Sequence, residues 1–122
     1  MYMKDKLIEI LQPLGFPIKL QGSMSQDEVY PDSFFTFWNN ATYDDAFYDN
    51  EEHRTIWDFD LNFYSEDPAL VNEILISAKR LLKQAGFIVN GKGYDVPSDE
   101  VTHTGRGINI LYMENQNNKE EN

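Results

Sequence analysis

The chain has 122 residues, enough for one domain, and 41% of them are apolar, including eight Phe, seven Tyr and two Trp that can fill a core. Ten basic and 21 acidic residues give a net charge of −11, which argues against direct nucleic-acid binding because that depends on Lys and Arg neutralising phosphates. The absence of cysteine excludes disulfides, thiol nucleophiles and cysteine-based zinc sites and favours folding in the cytoplasm, while no apolar stretch is long enough for a membrane span or a signal peptide.

The first part of the chain predicts one helix and one short strand. Apolar residues recur at three- and four-residue spacing over residues 2–14, which indicates an amphipathic helix that Gly15 ends. Residues 16–21 then alternate between apolar and polar side chains. Because Pro17 cannot donate a backbone hydrogen bond to a neighbouring strand, we expect this strand to lie at an edge of the sheet.

The middle of the chain predicts two aromatic strands. Residues 33–41 carry aromatic side chains on both faces, and residues 53–65 alternate between an apolar face and a mostly polar face. The apolar face of the second strand is formed by Thr55, Trp57, Phe59, Leu61 and Phe63. We expect this strand to be central, with the preceding strand antiparallel beside it and a helix across its apolar face. The acidic connection over residues 42–52 is longer than a hairpin turn needs, which is typical of a segment that contacts a partner.

The strongest helical pattern follows the long strand. Asp67 suits the N-cap and Pro68 the first helical position, and apolar residues then form one stripe until Gly86 ends the helix. Residues 87–89 and 107–113 predict two more strands, separated by an excursion that begins at Gly91 and ends at Thr104.

These elements predict a single α+β domain over residues 1–113, followed by a disordered polar tail over residues 114–122. The predicted order is α-β-β-β-α-β. The predicted sheet is small, mixed and mostly antiparallel, with about four or five strands and two helices packed on one face.

No constellation of residues indicates catalysis, a metal or a cofactor. The acidic loop lacks the spaced ligands and central glycine of a calcium-binding loop. His53 and His103 would form an acid–base pair only if the fold brought them together, which their spacing does not predict. Asp44 with Asp58 or Asp60 would be a carboxylate pair for hydrolysis, but a polar sheet face open to water or to another subunit explains the last two more simply. We therefore expect no enzyme, and a small hydrolase that uses these groups is the enzymatic alternative.

Aromatic and turn motifs recur along most of the chain. They are Tyr-Pro-Asp-Ser-Phe-Phe-Thr-Phe-Trp-Asn from Tyr30, Phe-Tyr-Asp-Asn from Phe47, Trp-Asp-Phe from Trp57, Phe-Tyr-Ser from Phe63, Asp-Pro from Asp67, Ala-Gly-Phe from Ala85, Gly-Tyr-Asp-Val from Gly93 and Thr-His-Thr-Gly-Arg-Gly from Thr102. Over residues 5–113, these motifs resemble those of tail completion or tail terminator proteins, which are minor structural proteins of long-tailed phages and prophages of Gram-positive bacteria.

The resemblance implies a non-enzymatic virion protein that forms a ring, commonly hexameric, on the tail tube, stops tube growth and prepares the tail for head joining. The family fold is a small mixed sheet with two helices on one face. The implied partners are further copies of the chain, the tail tube protein and head–tail connector proteins, and the implied location is the virion tail after assembly in the host cytoplasm. Contacts between subunits or with the tube would involve Phe47, Tyr48, Asp49, His103 and Arg106. The alternative is a head–tail junction adaptor or another monomeric protein-binding module.

Overall fold

The computed structural model describes residues 2–20, 31–46, 53–98 and 101–115, and the predicted α+β class and order of elements are confirmed. The elements are α1 (Tyr2–Leu11), β1 (Ile18–Leu20), β2 (Ser33–Ala46), β3 (His53–Ser65), α2 (Pro68–Gln84), β4 (Ile88–Val96) and β5 (Thr104–Asn115), and a 3-10 turn (Gln12–Leu14) extends α1. Neither helix is long and apolar enough to cross a membrane within these described ranges.

The five described strands form one sheet in the order β1-β2-β3-β5-β4. The pair β1 and β2 is parallel, and the other neighbouring pairs are antiparallel. The prediction that the long strand β3 is central is confirmed, as are the edge position of β1 and the antiparallel pairing of β2 with β3. The last strand, β5, inserts between β3 and β4, so β3 has a full-length partner on each side.

The core lies between both helices and one face of the sheet, which we call the inner face. It is formed by Met3, Leu7, Leu11, Phe35, Phe37, Phe59, Leu61, Phe63, Val71, Leu75, Ala78, Leu82, Phe87, Ile108 and Ile110. Trp57 packs against this cluster, so the prediction that the second helix lies across the Trp57 face is confirmed. Because strand side chains alternate, the intervening residues of each strand form the opposite, outer face.

The loop predicted over residues 42–52 is wrong over its first part, because β2 continues to Ala46. A bulge shifts the register between Asn39 and Ala41, after which Thr42 pairs with Trp57. A bulge breaks the two-residue alternation on which a strand prediction depends, so the sequence pattern stops there although the strand does not. The β2–β3 hairpin is therefore longer than expected.

The excursion predicted from Gly91 to Thr104 is also wrong over its first part, because β4 runs through this region to Val96. The register shifts between Asn90 and Tyr94, and two residues within the shift, Gly91 and Gly93, have φ values of 83° and 106°. Glycine adopts such angles at little cost, which lets the strand bulge and then resume pairing.

The last strand is also longer than predicted. Pairing with β3 begins at Thr104, three residues before the predicted start, and continues to Asn115, two residues into the predicted tail. The other tail residues, 116–122, lie outside the described residues. With these additional pairs, β5 pairs with β3 from Arg54 to Ser65, which is all of β3 except its first residue.

The N-terminus of α2 is capped by Asp67, as predicted. Its Oδ1 accepts a hydrogen bond from the Ala69 N–H at 3.0 Å, and the Ser65 Oγ accepts one from the Asp67 N–H at 3.0 Å. We expect Asp67→Ala to lower the free energy of unfolding by about 1 kcal/mol, because a helix N–H loses its acceptor. Urea denaturation should show this loss for Asp67→Ala but not for Asp67→Asn, which keeps an acceptor, or for Glu66→Ala. Equal losses in all three variants would contradict the capping role.

Candidate functional site

The predicted interface residues fall in different parts of the structure. Phe47, Tyr48 and Asp49 lie outside the described residues, so their role stays a prediction. Arg106 lies on the inner face near the start of α2, where its Nη1 donates to Asp95 Oδ1 at 2.7 Å. This pair borders a groove of about 400 Å³ that is lined by Pro68, Val71, Asn72, Asp95, Thr104, Gly105 and Arg106. Because the Asp95 side chain is 90% exposed, the pair contributes little stability, and Arg106 can exchange this partner for another.

His103 is largely buried on the outer face. Its Nε2 lies 2.8 Å from the Pro31 carbonyl oxygen, and because a carbonyl only accepts, Nε2 is the donor. Its Nδ1 lies 3.0 Å from Thr102 Oγ1, and the ring meets Phe34 edge-on with centroids 5.9 Å apart. These contacts join the segments that precede β2 and β5. The predicted interface role of His103 stays a prediction.

The sheet register separates the two histidines. His53 opens β3 opposite Ala46, whereas Thr104, the residue after His103, pairs with Ser65 at the other end of β3. Residues 53–65 span about 40 Å at roughly 3.3 Å per residue. A hydrolase that combines the two histidines therefore has no shared site in this fold.

The outer face carries a cluster at its centre that we call the acidic–aromatic cluster: Trp38, Asp58, Asp60, Tyr94 and Asn109. The Nδ2 atom of Asn109 donates to Asp58 Oδ1 at 2.7 Å and to Asp60 Oδ1 at 3.1 Å. One amide thus holds two carboxylates side by side. Within the described residues, no group of three or more His, Asp or Glu side chains is placed to hold a metal ion.

Tyr94 reaches this cluster by lying across β5. Gly107 of β5 is the partner of Tyr94 in the sheet. A Cβ atom at position 107 would overlap the side chain of Asn62 and lie 3.1 Å from Tyr94 Cε2. Glycine at position 107 therefore leaves the room that the Tyr94 ring occupies. Burial, the charge of Asp60, a hydrogen-bonding interaction with that carboxylate and the charge of Asp58 together raise the pKa of Tyr94.

The raised pKa of Tyr94 predicts a loss of stability in alkali. The folded state holds this proton more tightly than the unfolded chain, whose tyrosine pKa is about 10. The stabilisation is complete below that pH and is lost progressively as the pH rises above it. Urea unfolding at several pH values from neutrality into alkali should show a smaller alkaline loss for Tyr94→Phe than for the wild type. Identical pH dependence in the two proteins would contradict the coupling.

Half-exposed apolar side chains surround the carboxylates on the outer face. Trp38 is 50% exposed and pairs with Asp60 in the register, and Ile88 and Met113 are similarly exposed on β4 and β5. Both helices pack on the inner face, so no described helix covers these residues. Exposed aromatic and aliphatic groups around a polar centre are typical of protein–protein contact surfaces.

Among the described residues, part of the β2 side of the sheet also has no neighbouring strand. The three residues of β1 pair with Phe35, Thr36 and Phe37 of β2, so no described strand covers that side of β2 over residues 38–46. An uncovered edge offers backbone N–H and C=O groups to a strand of another chain. The open edge and the acidic–aromatic cluster meet at Trp38.

The sequence predicted only part of this cluster. The acidic face of β3 was visible from its alternation, but Asn109 and Tyr94 were not singled out. A signal for Asn109 exists, because an amide stands between two isoleucines of an apolar strand, at Ile108 and Ile110. The reach of Tyr94 depends on a pairing between two strands that no local pattern reveals.

The chain matches no protein-family model and no curated protein. The resemblance to tail terminators therefore rests on aromatic and turn motifs alone.

Proposed function

We propose that the protein is a structural virion component that caps the tail tube of a long-tailed phage as a ring, ends tube growth and prepares the tail for head joining. The observation that carries this proposal is the outer face of the sheet, where the acidic–aromatic cluster lies among half-exposed apolar side chains. Such a face suits assembly through protein contacts. The proposal assigns no bond-making step to any residue.

A ring requires that each subunit present two different surfaces, because head-to-tail contacts between identical chains can close on themselves. The two sides of this molecule differ in that way. One side is the solvent-exposed surface of the helices, and the other is the outer face of the sheet. The open edge of β2 adds a place where a neighbouring strand can pair.

The length of the strands also supports the proposal of a protein that assembles through its surfaces. Strands β2, β3 and β5 have 14, 13 and 12 residues, longer than most strands of globular domains. They form a strip about 40 Å long at roughly 3.3 Å per residue, with the core on one face and the acidic–aromatic cluster on the other. The additional face and edge are available to subunits, tube protein and connector proteins.

Electron microscopy of phage particles assembled without this protein tests the proposal. We expect tails of uncontrolled length, or tails that never join heads, and complementation with the wild-type chain should restore normal particles. Normal tails that carry heads in its absence would contradict the proposal. Tails of normal length that fail to join heads would favour the adaptor alternative.

A further inference from the structure

We infer that the acidic–aromatic cluster of one copy of this chain is completed by basic residues of α2 from a second copy. This inference rests on the proposed function and deepens it, because it names the two surfaces that meet between ring neighbours. The two surfaces match in charge, in apolar groups and in the spacing of their charged residues.

The acidic side of the contact is held by hydrogen bonds, and among the described residues it has no cationic partner. Asp58 and Asp60 share the amide of Asn109, and the amide of Asn40 donates to Asp58 Oδ1 at 3.3 Å. No described lysine or arginine forms an ion pair with either carboxylate. Two negative charges are therefore held on one patch with only neutral donors, an arrangement that favours a positive side chain from outside.

The basic side is the solvent-exposed stripe of α2. Arg80 and Lys83 are exposed there, and neither makes an ion pair within the part of the chain that the structure describes. Glu73 is the last acidic residue of this helix, so the second half of α2 carries only positive charges. One turn before Arg80, Ile76 is 51% exposed and adds an apolar group to the stripe.

The spacing of the two surfaces also agrees. Arg80 and Lys83 are separated by about 4.5 Å along the helix axis. Asp58 and Asp60, two residues apart on one strand, are separated by roughly 7 Å. Because long basic side chains bend over several ångströms, they can meet both carboxylates while Ile76 contacts an exposed ring.

The contact is head-to-tail. The stripe and the acidic–aromatic cluster lie on opposite sides of the molecule, so a subunit that donates the stripe to one neighbour still offers its cluster to another. Repetition of such a contact gives a ring if the rotation closes and an open filament if it does not. A free subunit is therefore left with an incomplete cluster.

Engineered disulfides test the contact in the full chain, which has no native cysteine. The variant with Trp38→Cys and Ile76→Cys should form a ladder of covalent oligomers under mild oxidation. Each single variant should give no ladder beyond a dimer, and a matched double variant with Ile76→Cys and Val101→Cys should give none. Val101 suits this control because it is fully exposed in a loop outside the two surfaces.

Charge reversal gives a second readout. We expect Arg80→Glu to weaken self-association by about tenfold or more in sedimentation velocity, because an attractive contact becomes repulsive. Lys92→Glu, an equal change on exposed β4, should have much less effect. The unfolding midpoint of each variant shows that the subunit itself is intact.

The results of these experiments distinguish a failure of the inferred contact from a failure of the proposed function. Closed rings without the specific cross-link, or rings indifferent to Arg80→Glu, would overturn the inferred contact and leave the proposed function standing. Cross-linked open chains that never close would support the contact and count against the ring. A chain that neither associates nor cross-links would overturn the inference, and particle microscopy then decides the function independently.

Discussion

Phe63→Ala should lower the free energy of unfolding by about 3–5 kcal/mol, the largest effect that we expect from a single change. Phe63 is fully buried near the C-terminal end of β3, and its ring centroid lies 5.1 Å from that of Phe16 and 4.7 Å from that of Phe35. Truncation removes the buried ring and leaves a cavity between the sheet and the helices. A domain of this size has about 5–15 kcal/mol of stability in total, so the variant will be marginal.

Urea denaturation followed by circular dichroism measures this loss. Val101→Ala is the control, because Val101 is 99% exposed and lies outside the proposed contact surfaces, so the change should alter the stability by less than about 0.5 kcal/mol. If Phe63→Ala does not fold, Phe63→Leu gives a smaller loss that can be measured. A fully folded Phe63→Ala with wild-type stability would contradict the position of the core.

Gly105→Ala should destabilise the protein by about 1–3 kcal/mol, because the new methyl group has no space. A Cβ atom on Gly105 would lie 2.6 Å from the ring of Tyr64 and 2.8 Å from Val96 Cγ2. The Tyr64 ring is itself stacked on Phe34, with centroids 5.3 Å apart, so it cannot move away freely. Gly105 does not have a positive φ, so the expected loss comes from overlap alone.

A double-mutant cycle tests this cause. The cost of Gly105→Ala should be smaller in a Tyr64→Ala background than in the wild type, because the ring that meets the new methyl group is gone. Thermal unfolding of the four proteins gives the coupling. Strict additivity would show that the loss arises elsewhere, for example from the backbone.

The helices and central strands could be predicted because their patterns are local. The alternation from Thr55 to Phe63 identified the central strand, and the cap at Asp67 with the stripe that follows identified α2. Each of these elements has one apolar face that is visible in its own sequence, so it can be predicted without knowing which distant residues it pairs with. The class and the order of elements follow from these patterns.

The rest depends on pairing between distant residues. The bulge at Asn39 and the glycine-rich bulge before Tyr94 both interrupt the alternation, so β2 and β4 were predicted too short. Strand β5 lies between β3 and β4 because it pairs with both of them, and these pairings join residues that are far apart in the sequence. The acidic–aromatic cluster follows from that register, because it brings Asn109 beside Asp58.

Native mass spectrometry of the purified full-length chain over a series of concentrations tests the central claim, that this protein works by assembly of its own surfaces. The proposed function predicts a closed oligomer of one stoichiometry, with six subunits expected from the resemblance, that grows at the expense of the monomer. A monomer that persists up to about 1 mM would mean an association weaker than roughly 4 kcal/mol and would contradict the claim.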